Sequence, residues 1–90
     1  MLKKGLVIDM WHEGTVGIPV EGGKTKIAHW YVKSFKECSE YGINGGKISK
    51  LSIKIDGVWV ADYDRDWLIE PAEDDKLAQV TLAILLNAYN

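Results

Sequence analysis

Two segments of this 90-residue chain carry residue types that can hold a small anion. The first runs from Ser39 to Leu51 (SEYGINGGKISKL) and contains Tyr41, Asn44, Gly45, Gly46 and Lys47. A glycine-rich loop leaves backbone N–H groups open, and such groups cradle anions. The second segment, Asp62-Tyr63-Asp64-Arg65-Asp66-Trp67, holds the only arginine, set between two aspartates. Arginine offers a planar fork for phosphate or carboxylate, and Trp67 beside it offers a stacking face. The competing reading is structural: a salt-bridge cluster around Arg65 that ties the loop to a sheet.

Catalytic signatures are thin. His12 and His29 stand 17 residues apart, and neither has a metal-ligand spacing with Cys38. Both histidines read as surface or packed residues. Cys38 lies among Glu37, Ser39 and Glu40, without the cationic neighbours of a reactive thiolate, and reads as inert. Asp62 and Asp64 share one face of a strand, as carboxylates on solvated edges commonly do. Gly42 to Gly46 has neither the Walker spacing nor the dinucleotide fingerprint. The expectation is no catalytic residue, no metal and no cofactor, with phosphodiester chemistry as the nearest enzymatic alternative.

Length and charge narrow the class further. Ninety residues form one domain, 1–90, because a second core would leave neither half enough surface to bury. A hydrophobic share of 47% and a net charge of −2 exclude a disordered tail. No apolar run approaches the roughly 18 residues of a membrane span. Asp9 interrupts the first apolar stretch, which argues against a signal peptide, and the lone cysteine does not suggest an oxidising compartment. The expected location is the cytoplasm. Residues 1–55 hold nine lysines against five acids, whereas residues 56–90 hold Arg65 and Lys76 against eight acids. That balance is wrong for gripping duplex nucleic acid, which needs a cationic excess on one face.

The elements that must position these residues are mainly strands. Leu6, Ile8 and Met10 alternate with Val7, Asp9 and Trp11, and a short run flanked by Gly14 and Gly17 ends at Ile18-Pro19-Val20. Gly22-Gly23 reads as a turn. From Thr25 to Lys36 the alternation puts Ala28, Trp30 and Val32 on one face and His29, Tyr31 and Lys33 on the other. Asp56-Gly57 predicts a type I′ hairpin pairing Ile55 with Val58, Ile53 with Val60 and Leu51 with Asp62. Ile53, Ile55, Val58 and Val60 would then share a buried face. The other face would set Lys54 opposite Trp59, Ser52 opposite Ala61 and Lys50 opposite Tyr63. Extended further, this register brings Lys47 near Asp66 and Ser49 opposite Asp64.

After Ile69 the period becomes helical. Pro71 suits a first turn, and Glu73, Asp74 and Asp75 suit the positive end of a helix dipole, so the spacing predicts a helix over about 72–89. Its apolar arc is wider than one sheet requires: Leu77, Val80, Ile84 and Ala88 form one stripe, and Ala78, Leu82, Leu85 and Tyr89 a second, with Leu86 beyond. Val80, Ile84, Leu82 and Leu86 are therefore the expected contacts with a second copy of the chain, although a β-arm folding over the helix would cover the extra arc equally well. The predicted fold is α+β: a curved antiparallel sheet of four to six strands packed by one C-terminal α-helix.

Three motifs together carry a resemblance: Trp11-His12-Glu13-Gly14; Lys33-Ser34-Phe35 ahead of SEYGINGG; and Tyr63-Asp64-Arg65-Asp66-Trp67. The chain resembles a family of small proteins encoded by phages and prophages of Gram-positive bacteria, a domain of unknown function. Asp66 stands where the family pattern has glycine. The resemblance implies a setting among phage accessory genes rather than a reaction. In that setting the expectation is a homo-oligomeric counter-defence protein that sequesters a nucleotide-type immune signal between subunits. Trp67 or Tyr41 would stack the base, Arg65 and Lys47 would take phosphates, and Asn44 with the Gly45–Gly46 backbone would fix orientation. The alternative is an inhibitor that binds and blocks a host defence protein through the helix surface around Val80 and Ile84.

Overall fold

The structure is a computed structural model that describes residues 9–90, with side chains from Trp11 onward. Leu6 and Ile8 of the expected Leu6–Ile8–Met10 face lie outside the described residues, as does the side chain of Met10. Five strands follow one another: β1 (Asp9–Pro19), β2 (Thr25–Phe35), β3 (Ile48–Ile55), β4 (Val58–Asp64) and β5 (Trp67–Ile69). They pair antiparallel in sequence order to form one open sheet, and α1 (Lys76–Tyr89) packs on a single face of it. The α+β class, the strand number and the position of the helix agree with the sequence expectation.

Local sequence explains the long hairpin of β1 and β2. Strand β1 runs unbroken through Gly14 and Gly17, pairing Asp9 with Phe35 at one end and Pro19 with Thr25 at the other. Gly14 lies across from Trp30, and a Cβ there would stand 2.6 Å from the indole ring. The glycine of the Trp-x-x-Gly motif therefore makes room for a tryptophan on the neighbouring strand. His12 stacks on Tyr89 with ring centroids 4.6 Å apart, so one of the two histidines is a packing residue at the end of α1.

The β3–β4 turn has Asp56 at φ 52° and Gly57 at φ 78°, the two positive angles a type I′ turn requires. Past Lys54–Trp59 the register departs from the sequence expectation. Val60 is an extra residue, so Ile53 faces Ala61, Ser52 faces Asp62, Leu51 faces Tyr63 and Lys50 faces Asp64. A bulge shifts the alternation by one residue, so Ala61 and Tyr63 turn into the core and Asp62 turns out. Val58 keeps its expected pairing with Ile55 ahead of the bulge yet is 59% exposed rather than buried, and beyond the bulge Ser49 meets Arg65 through the backbone instead of facing Asp64.

The core lies between the sheet and α1. Ala28 and Val32 of β2, Leu51 and Ile53 of β3, Ala61 of β4 and Ala78 and Leu85 of α1 have no exposed surface. Burying apolar surface at about 25 cal/mol per Å² supplies the main favourable term for such a contact. Ile43 and Ile48 extend the core beneath the 36–47 connection.

The helix begins at Lys76, four residues later than the sequence predicts. Asp75 is its N-cap, with a carboxylate oxygen accepting from the Ala78 amide at 3.1 Å. Pro71 is buried ahead of the helix, and its carbonyl accepts from Gln79 Nε2, as does that of Ala72, each at 3.1 Å. Asp75 thus outcompetes proline as the start signal, because its side chain satisfies a first-turn amide. Of the four expected self-contact residues, Leu82 and Leu86 pack partly buried against the core of their own chain, and Val80 and Ile84 stay exposed.

Candidate functional site

The Arg65 guanidinium lies over the Tyr41 ring, 5.9 Å from its centroid. Arg65 follows β4 with φ 66°, and its amide donates to the Ser49 carbonyl at 3.3 Å. The Asp64 amide donates to the Asp66 carbonyl at 2.9 Å, which closes the bend around the arginine. Both flanking carboxylates are engaged elsewhere. Asp64 pairs with Lys50 at 3.8 Å, and Asp66 accepts from the Trp67 amide at 2.8 Å. Among the described residues Arg65 has no ion-pair partner, so the salt-bridge cluster of the competing structural reading does not form around it.

Tyr63 supports this corner from beneath. Its hydroxyl donates to the Tyr41 carbonyl at 3.0 Å, and its ring meets Trp67 edge-on with centroids 5.1 Å apart. Burial first, and the nearby Asp66 carboxylate second, push the Tyr63 phenol above its ordinary 10.0. The neutral donor form is therefore favoured, as the hydrogen bond to Tyr41 requires.

The glycine-rich loop is closed on itself. Ser39 N donates to Gly46 O, Gly42 N to Ser39 O, Gly45 N to Gly42 O and Gly46 N to Ile43 O, all at 2.9–3.0 Å. The amides of Gly45 and Gly46 are therefore spent inside the loop. Any orienting contact from this stretch falls to Asn44, which is exposed at φ 53°, and to the exposed Lys47. Asn90 fastens the loop from the end of α1. Its Oδ1 accepts from Ile48 N and its Nδ2 donates to Ile43 O, both at 3.0 Å.

Of the seven candidate residues, the structure brings Tyr41 and Arg65 into contact and joins Trp67 to them through Tyr63. Asn44, Gly45, Gly46 and Lys47 lie on the same loop as Tyr41, with no hydrogen bond or ring contact from Asn44 or Lys47 to Arg65. A cleft of about 380 Å³ opens beside the loop, lined by Phe35, Lys36, Glu37, Cys38 and Ser39. None of the seven lines it. Sequence reasoning missed Tyr63 and Asn90. The Tyr-Asp-Arg-x-Trp string pointed to the first, and nothing local marks an asparagine that works across more than 40 residues of chain.

Among the described residues no group of three or more His, Cys, Asp or Glu could hold a metal ion, and no helix is long and apolar enough to cross a membrane. Fold and corner together define a small α+β protein that presents a guanidinium and aromatic rings at one end of an open sheet. The chain belongs to the family described as a domain of unknown function (DUF7678), whose model matches residues 10–90. No curated protein and no solved structure matches it significantly.

Proposed function

We propose that this chain is a small phage-encoded binding protein of a Gram-positive host, acting in the host cytoplasm, that sequesters a nucleotide-type immune signal. The carrying observation is the Arg65–Tyr41 pair: a guanidinium released by both neighbouring carboxylates and held over an exposed ring. Such a group is ready for phosphate, and Tyr41 or Trp67 supplies a face for a base. Lys47 adds a second cation and Asn44 an amide. Tyr41 and Arg65 are both exposed on a single chain, so a second copy completes the pocket in this reading.

Native mass spectrometry of protein purified from a bacterial lysate tests it. The expected result is an oligomer carrying one nucleotide-sized adduct per site. Arg65→Ala should remove the adduct while leaving the oligomer intact. A bare monomer overturns the reading.

A second reading rests on α1. Val80 and Ile84 are 36% and 45% exposed on one helix face. Such a face suits a host defence protein that the chain would block, and a clean monomer that captures one host protein favours that alternative.

A further inference from the structure

The sheet face opposite α1 carries a pattern that the Arg65 corner does not use. Strand register places Trp11 of β1, Tyr31 of β2 and Trp59 of β4 on this face, on a diagonal across the sheet. Trp11 is 61% exposed and Trp59 46%, and the Tyr31 and Trp59 rings approach to 5.9 Å across the small Ser52. Each tryptophan has a lysine as its direct cross-strand partner. Lys33 Nζ lies 5.6 Å from the Trp11 ring, and Lys54 Nζ lies 5.1 Å from the Trp59 ring. Lys50 and His29 stand on the same face. Among the residues with described side chains its acids are Glu13, Asp62 and Asp64, and the β1 register adds Asp9 at the edge of the same face. Asp62 accepts from the Ser52 hydroxyl at 3.2 Å and Asp64 pairs with Lys50.

We propose that this open face binds single-stranded nucleic acid, with bases stacked on Trp11, Tyr31 and Trp59 and phosphates beside Lys33 and Lys54. Rings on separate strands of a sheet face that no described element covers match the unstacked bases of a single strand, whatever their sequence. A duplex hides those base faces and is held mainly by cationic excess, which this face lacks because its acids at least match its three lysines in number. Each ammonium lies over its tryptophan ring, so a stacking base displaces the flexible lysine outward, toward the phosphates that flank that base.

Fluorescence anisotropy with labelled 15-nucleotide oligo(U) and oligo(dT) tests the proposal. Saturable binding that weakens with salt is expected, with little binding to a 15-base-pair duplex. Trp11→Ala and Trp59→Ala, both at exposed positions, should each weaken binding about tenfold. Lys54→Gln should weaken it and flatten the salt dependence. Amide chemical shifts should move on β1–β4 when oligo(U) is added. No binding by the unaltered chain, equal binding of duplex, unchanged affinity in both tryptophan variants, or shifts confined to the Arg65–Tyr41 corner would each overturn it. A dimer in sedimentation that Trp59→Ala dissociates also overturns it, because a second copy then covers the face.

Discussion

The side-chain amide of Asn90 occupies the space where a Cβ on Gly46 would stand. From there it reaches both sides of the loop, holding Ile43 O and Ile48 N at 3.0 Å each. The end of α1 and the loop that carries Tyr41 are thus one packed unit, and Gly46 is glycine because Asn90 is its neighbour.

Removing either partner should loosen that unit. Asn90→Ala leaves the Ile48 amide and the Ile43 carbonyl without these partners and should cost about 1–3 kcal/mol. Gly46→Ala forces the amide out and should cost at least as much. Urea unfolding of the two variants and of the double variant checks this. Non-additive losses are expected, since both changes break the same contact.

Thr81 predicts a gain. It is fully buried on α1, and its hydroxyl has no hydrogen-bond partner among the described residues. Thr81→Val keeps the shape and removes the buried hydroxyl, so the variant should be about 1 kcal/mol more stable. For a domain this size that is roughly a 4–8 °C rise in Tm, readable by calorimetry. A lower Tm would mean the hydroxyl is satisfied in solution.

Tyr63 sets an alkaline limit. Its phenol lies above 10.0 in the folded chain, so the unfolded chain ionises first as pH rises. The sign follows from linkage: its contribution is complete below pH 10 and is lost as pH climbs from there through the folded value. Tyr63→Phe should lose about 0.5–1.5 kcal/mol at pH 7, through the missing bond to Tyr41, yet show a shallower decline above pH 10. Denaturation curves at pH 7, 9 and 10.5 separate the two effects.

Arg65 offers a test of function against stability. A non-glycine residue at φ 66° costs of order 1 kcal/mol, and its flanking carboxylates do not repay it. Arg65→Gly should therefore match or exceed the original chain in stability, while the nucleotide binding proposed for this corner should fall at least tenfold. A marked loss of stability would instead make the Arg65–Tyr41 contact part of the scaffold.

Where sequence was a sufficient guide, the signal was local. Asp56-Gly57 specifies its turn through two backbone angles, and the alternation from Thr25 onward places Ala28, Trp30 and Val32 inward without reference to any other strand. Val58-Trp59-Val60-Ala61 reads as plain alternation, so the bulge at Val60 leaves no mark, and everything beyond it shifts by one residue. The helix start failed for a different reason. Pro71 and Asp75 are both start signals, and the start falls at Asp75, whose carboxylate caps the Ala78 amide while Gln79 reaches back to the Pro71 carbonyl. At the site, Arg65 and Tyr41 were visible as residue types. Their contact depends on Tyr63, which faces inward only because of that same bulge.

The sequential order of the strands also bears on how fast the chain reaches this state. Every strand pairs with its immediate predecessor, so no pairing must wait for a distant segment to diffuse into place. Folding rates fall as the sequence separation of native contacts grows. A meander can zip outward from the tight Asp56-Gly57 turn, leaving the 36–47 connection and the docking of α1 as the entropically costly closures. Asn90 would then lock last, and refolding should be fast for a β-rich protein, with Asn90→Ala accelerating unfolding far more than it slows folding.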